Sequence, residues 1–498
     1  MVDTRPRAAI FNLLSRPLRG GMSPARRQRR ASVGKLAASQ RIWILTALLL
    51  VLPWAATPAG AADPPAKSKP PQGEVTLQQA LNMALDYSPN IKQYLAQLDK
   101  AASKQKEAFT YFLPSLNTSY TYQRDQNPPQ LKSGDTMTII GTENNYQWST
   151  SLRQPLFTGF RLSSQYQLAR LGVDLAETNL VLAYLDLALS VKENYFGYLR
   201  AIKGVEVAKE AVQLLQAQLK VSRDFYEVGI IPINDVLKTE VSLSDAKQEM
   251  VRAINTQALF MSRLNRLLGL PVEFDLKVQD ILKSHPVQSD YERARLLARN
   301  ERPEIKAVQL QIKQADQSIL RAQSGYWPQL SLKASYDFTS DSPELGDSRY
   351  DDPTDWSVIT QLDWAFWEWG RTGHQTSQER ADKRRLEAVQ RELEDEVDLQ
   401  VKEAILTLRE SQENIVTATT GIKQAEENYR ITFERYREQL TTNTELLDAQ
   451  LLLSRARNNY YNALAVFNVA EARLQRSMGR GLAGLAIKPP APDRGFWP

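Results

Sequence analysis

Residues 161–180 read RLSSQYQLARLGVDLAETNL and open a segment, Arg161 to Gly269, that the chain writes twice. Shifted by 210 residues, the segment returns as Arg371 to Gly479. Val191-Lys-Glu193 falls on Val401-Lys-Glu403, Tyr226 on Tyr436, Leu237 on Leu447, and Arg263-Leu-Asn-Arg266 on Arg473-Leu-Gln-Arg476. A gapless match over so long a stretch predicts two tandem structural repeats. Proline is absent from Leu162 to Ile231 and from Thr372 to Gly479. Apolar and small residues step by three and four through Val205, Ala208, Val212, Leu215, Leu219, Ser222 and Tyr226, the seam of a coiled coil. As one helix, Arg161 to Gly229 would run roughly 100 Å. The helix is expected to break where Gly229 can cap a C-terminus and Pro232 cannot continue it, with Asn234 able to start the return. Each copy therefore reads as a very long antiparallel helical hairpin.

Residues 1–61 read as a signal peptide. Ten Lys and Arg precede the apolar run Ile42 to Trp54 and the small residues Ala59-Gly60-Ala61, and either Met1 or Met22 could start it. That run is shorter than the ~20 residues a spanning helix needs. The whole chain carries a formal charge of +5, but the leader alone supplies more than that, so the mature chain is about −4. The basic balance belongs to export, and no nucleic-acid partner is expected. No cysteine is present, which excludes a disulfide framework or a cysteine metal site. His285 and His374 have no partner pattern and read as surface residues, and no nucleophile–base pair or metal-ligand spacing is present. An enzyme, a resident metal and a cofactor are therefore not expected.

After a linker (62–75), the unit 76–270 opens with helices interrupted at Ser88-Pro-Asn-Ile91. The hydrophobic period then switches from 3.6 to 2 beyond Pro114. Leu116, Thr118, Tyr120 and Tyr122 alternate with Asn117, Ser119, Thr121 and Gln123, and a second alternating run covers Tyr146 to Leu152. Strands are expected at about 115–124 and 146–156, and, after an inter-repeat linker (271–290), at about 329–338 and 356–365 within the second unit, 291–479. Runs of this length with aromatic residues near their ends fit transmembrane β-strands. Four strands cannot close a barrel and open edges are not tolerated in lipid, so several chains must share one barrel. Polar loops are expected at Arg124 to Asn145 and Thr339 to Asp355. Gly159 and Gly370 are expected to bend strand into helix, and 480–498 forms a C-terminal tail.

The order of elements, together with Thr76-Leu-Gln-Gln-Ala80-Leu, Phe112-Leu-Pro-Ser-Leu116, Pro155-Leu-Phe-Thr-Gly159 and Tyr226-Glu-Val-Gly229-Ile-Ile-Pro-Ile-Asn-Asp235-Val, resembles the TolC family of outer-membrane efflux proteins. The resemblance implies a mixed α and β membrane protein. Three chains would share a twelve-stranded outer-membrane β-barrel, continued by a long periplasmic α-helical coiled-coil barrel. It further implies a homotrimer set in outer-membrane lipid and partnered by a periplasmic adaptor (membrane fusion) protein and an inner-membrane pump of RND, ABC or MFS type. The function implied is a passive exit duct for efflux or type I secretion. A soluble periplasmic coiled-coil scaffold or adaptor is the alternative reading.

By that resemblance the turns at Gly229, Pro232 and Gln439 form the periplasmic tip. Asp235 and Tyr436 match positions that tie the tip closed, and Glu445 and Asp448 match paired acids on the inner wall. Gln439 stands where the family pattern has glycine, and Thr441 where a clamping arginine is common. Independently of the family, Glu445 and Asp448 are three apart and share one helix face, where a ring of carboxylates would attract cations. Thr442-Asn-Thr-Glu445 also reads as a capping box, and Asp235 as a first-turn acid favoured by the helix dipole.

Overall fold

The computed structural model describes residues 73–482, apart from 140, 288–289 and 344–352. The expected signal peptide, most of the 62–75 linker, part of the acidic loop and the tail beyond 482 lie outside these residues.

Helices α1 (Leu77–Tyr87) and α2 (Pro89–Thr110) lead into strand β1 (Ser115–Arg124). A short hairpin, β2 (Gln130–Ser133) and β3 (Thr136–Ile139), precedes β4 (Asn144–Phe157). Helix α3 runs unbroken over Arg161–Glu227, and α4 (Ile233–Leu268) returns beside it. Then come α5 (Tyr291–Glu301), α6 (Pro303–Gln323), β5 (Gln329–Ser340) and β6 (Thr354–Asp363). The chain closes with α7 (Arg371–Arg437) and α8 (Asn443–Ser477). Helices α3 and α7 are each 67 residues long, or roughly 100 Å. Towards the strands they pack with α2 and α6 in the row α2–α3–α6–α7, and towards the turns in the row α4–α3–α8–α7. In the second row Arg457 on α8 pairs with Glu210 on α3 and with Glu426 on α7, the latter at 3.0 Å.

The main sheet is antiparallel in the order β1-β4-β5-β6, so the β4–β5 ladder joins the two halves of the chain. The expected loop Arg124 to Asn145 is not wholly irregular. It contains the β2–β3 hairpin, where Gly134 takes the left-handed conformation (φ 61°) that a tight turn needs.

The described residues of the expected linker 271–290 are docked at mid-length of the rods. Val75 bridges to Val278. Tyr195, fully buried on α3, lies with its hydroxyl 3.0 Å from the Val75 carbonyl and 2.9 Å from that of Gln279, and burial pushes its pKa up to about 12. Tyr198 donates to the Leu276 carbonyl (2.9 Å), and the Asn265 amide donates to the carbonyl of Phe274 (2.8 Å). Backbone carbonyls that no sheet satisfies are thus taken by side chains of the rods. Leu264, Leu268, Leu276, Val401, Ile405 and Phe467 pack around them as the largest buried cluster. Beside it Glu304 sits 2.9 Å from both Arg302 and Arg476. Burial raises the pKa of this carboxyl, and the two guanidinium groups more than reverse that, leaving it lowered.

His285 is half-exposed. It stacks edge-on against Phe467 (5.4 Å) and lies 3.5 Å from Glu471. His374 is exposed.

Candidate functional site

Two regions carry the functional geometry: the sheet with its junctions to the rods, and the tip where the rods reverse. Residues directly opposite in neighbouring strands share a face. The register aligns Tyr120, Trp148 and Phe338, then Thr118, Thr150, Tyr336 and Trp356, then Leu116, Leu152, Ala334 and Val358. The opposite face carries Ser119, Ser149 and Asp337 in one row, and Asn117, Ser151, Ser335 and Ser357 in the next. One face is therefore aromatic and aliphatic and the other polar, with Ile359 as the exception on the polar side. The apolar face is open, with Leu116 71 % and Trp356 72 % exposed. A second set of exposed aromatics, Trp327, Trp364, Phe366, Trp367 and Trp369, lies at the strand-to-helix junctions. Two aromatic bands with aliphatic residues between them match the outward face of a membrane barrel. Neither β1 nor β6 has a partner along its outer edge among the described residues.

Each junction uses two successive left-handed residues rather than one glycine. Gly159 (φ 59°) and Phe160 (φ 67°) open α3, while Trp369 (φ 52°) and Gly370 (φ 78°) open α7. Under the 210-residue offset Gly159 falls on Trp369 and Phe160 on Gly370, so each junction supplies its glycine at a different one of the two places. A Cβ on Gly159 would stand 2.7 Å from the Ser324 carbonyl, whereas Gly370 has room.

At the tip, α3 and α7 end identically. The amides of Gly229 and Gln439 donate to the carbonyls of Tyr226 and Tyr436, and those of Ile230 and Leu440 to Phe225 and Arg435. This bond pair is the Schellman motif, which wants a left-handed residue just past the cap. Gly229 (φ 79°) and Gln439 (φ 60°) supply it. Return helix α4 starts at Ile233, one residue before the expected Asn234, with Pro232 as its cap and no side-chain capping bond. On α8 the Thr442 hydroxyl accepts from the Glu445 amide (3.3 Å). Half of the expected capping box is formed, and the Glu445 carboxylate instead takes the hydroxyls of Thr441 and Thr442.

Tyr436 is buried and shares a hydrogen bond with Ser222 of α3 (3.0 Å). Burial pushes its phenol above the usual tyrosine range, the Ser222 bond pulls the other way, and the charge of Asp235 adds to the rise. The Asp235 carboxylate pairs with Lys238 on its own helix (3.6 Å), so no bond joins it to Tyr436. What crosses between hairpins at Asp235 is its backbone carbonyl, which accepts from the Asn443 amide (2.8 Å). Glu445 and Asp448 are exposed on one side of α8, and Asp448 has no bonding partner among the described residues. Asn443, Gln218, Thr239 and Ser222 were not singled out as tip residues from sequence, although Ser222 lies on the coiled-coil seam. Their partners lie more than 200 residues away, and no local pattern marks them.

Elsewhere, a polar cavity of about 800 Å³ lies between α2, α3, α6 and α7. Two of its arginines are taken by its own acids, Arg321 with Glu379 (3.9 Å) and Arg385 with Asp382 (3.1 Å). No described helix is long and apolar enough to cross a membrane, and no cluster of three His, Cys, Asp or Glu among the described residues could hold a metal.

Comparison with known proteins bears on both regions. The chain is 22% identical over 410 residues to the outer membrane protein TolC of Vibrio cholerae, covering 80% of this chain and 90% of that one. It is 24% identical over 408 residues to the alkaline protease secretion protein AprF of Pseudomonas aeruginosa, covering 79% and 82%. The fold superposes on the Campylobacter jejuni CmeC outer membrane channel with a TM-score of 0.71 at 15% identity, covering 83% of this chain and 90% of that one. The family model described as outer membrane efflux protein matches residues 80–270 and again 295–480. The chain therefore belongs to the outer membrane efflux protein family, and its place is the Gram-negative outer membrane with the long helices extending into the periplasm.

Proposed function

We propose that this protein is the passive exit duct of a tripartite efflux or type I secretion assembly, gated at its periplasmic tip. The observation that carries the reading is a four-stranded sheet with one exposed apolar face and two edges unpaired among the described residues, running directly into 67-residue helices. Lipid does not tolerate the unpaired edges of a four-stranded sheet. Three copies pairing β1 of one chain with β6 of the next give twelve strands and no edge. The helices of the three copies then continue the barrel as a tunnel, and the two halves of each chain are a duplicated unit. A soluble scaffold leaves the apolar face without a role.

The partners on this reading are a periplasmic adaptor and an inner-membrane pump of RND, ABC or MFS type, which supplies the energy. Gly229, Pro232 and Gln439 mark the tip. Glu445 and Asp448, repeated three times, form a ring of six carboxylates that favours cations. The direct check is the mass of the detergent-solubilised particle by light scattering. Three chains per particle are expected, and a detergent-free soluble monomer would overturn the reading. Glu445→Ala with Asp448→Ala should lower cation preference in bilayer recordings, and unchanged selectivity would remove the ring.

A further inference from the structure

The two hairpins of one chain are joined near the tip by uncharged side chains buried inside an otherwise apolar seam. Asn443, 2% exposed, is the first residue of α8. Its carbonyl oxygen accepts from the Gln218 amide of α3 (2.8 Å), and its amide donates to the Asp235 carbonyl (2.8 Å) and the Thr239 hydroxyl (3.0 Å) of α4. One side chain thus bonds to three residues on both helices of the opposite hairpin. One turn along α3 from Gln218, Ser222 reaches Tyr436. Gln218, Ser222, Thr239, Asn443 and Tyr436 are all at least 97% buried.

Val212, Leu215, Leu219, Val236 and Leu243 form the seam around them, with Leu447 against it. An all-apolar seam would hold the hairpins together most firmly, because parting it exposes apolar surface to water. Buried amides and hydroxyls behave differently, since water can replace each of their bonds when the hairpins separate. The Gln218 side-chain oxygen has no partner among the described residues, so wetting would satisfy a group that the joined state leaves bare. No ion pair makes this tie: Asp235 is engaged with Lys238 on its own helix and Glu445 with Thr441 and Thr442, and the one charged contact across it, Lys238 to the Thr444 hydroxyl (3.5 Å), is long and exposed. Nor is the tie part of the general hairpin design, since 210 residues before Asn443 the chain has Ile233, which is exposed.

We propose that Asn443 is the latch of this duct: its buried amide holds the second hairpin against the first with the tip closed, and opening exchanges these bonds for water. The proposal rests on the duct reading above and names the positioning residue that regulates it. The natural chain has no cysteine, so Thr239→Cys with Asn443→Cys introduces the only two thiols. In planar-bilayer recordings Asn443→Ala, which leaves the Gln218 amide without its partner and adds no apolar group to the seam, is expected to raise open probability about fivefold or more. The reduced double-cysteine protein should behave alike, and a short bis-thiosulfonate cross-link should return it to the wild-type resting level until dithiothreitol cleaves it. Wild-type open probability in Asn443→Ala, or equal opening with and without the cross-link, would overturn the latch alone. A wild-type chain that forms no channel would overturn the duct reading and the latch with it.

Discussion

The two reversals share a backbone and differ in nearly everything else. Both end a 67-residue helix with the same pair of amide–carbonyl bonds around a left-handed residue. Yet Tyr226 is 44% exposed where Tyr436 is 3%, and Ile233 is 47% exposed where Asn443 is 2%. The path of the chain is set locally, by one residue that can hold φ above zero. The environment of each side chain is set by the hairpin that packs against it. The second reversal turns Tyr436 and Asn443 inward against α3 and α4, whereas the first leaves its tyrosine and isoleucine in solvent.

Substitutions at matched positions can break this contrast. The largest effect is expected from Tyr436→Phe, which leaves the fully buried Ser222 hydroxyl without a partner. It should cost about 1–3 kcal/mol of tip stability, read as faster hydrogen exchange at the ends of α3 and α7. Tyr226→Phe should stay within about 0.5 kcal/mol, as exposed positions do. Equal effects would mean that the two tyrosines do not differ as their burial implies.

Next in size, Gly229→Ala should destabilise by about 1–2 kcal/mol from backbone conformation alone, since nothing lies within 4 Å of the added carbon. Gln439→Gly should stabilise by about 1 kcal/mol, the same preference with its sign reversed. Chemical denaturation of the detergent-solubilised protein distinguishes the two signs.

Smaller still, Thr442→Ala removes the hydroxyl that caps α8 and should cost about 1 kcal/mol or less. Pro232→Ala removes no side-chain bond, because α4 has no side-chain cap, and hydrogen exchange in the first turn of each return helix would tell them apart.

Much of this architecture is readable from sequence for physical reasons. Long helices announce themselves by the absence of proline and by steps of three and four, and Arg161–Glu227 obeys both. A sheet with one apolar face announces itself by period-two alternation, which the register carries intact from Leu116 to Val358. Non-glycine residues in the left-handed region carry no such mark. Phe160 and Trp369 therefore carry no signal, whereas Gly159 and Gly370 beside them mark each bend. The Asn443 cluster was equally hidden, because hydrogen bonds between residues 204 to 225 positions apart have no period to read. In Thr442-Asn-Thr-Glu445 the signal was the cap, while the buried amide beside it went unmarked. The docking of the inter-repeat strap carries no such mark either, since its carbonyls are satisfied by Tyr195, Tyr198 and Asn265, far from it in sequence or on another element.

The most direct test of the account is single-channel conductance of the purified protein in a planar bilayer, with ion selectivity recorded. Discrete, cation-favouring channels that rest mostly closed are the predicted result. A protein that does not insert, or that conducts permanently and without ion preference, would contradict a duct gated at its tip.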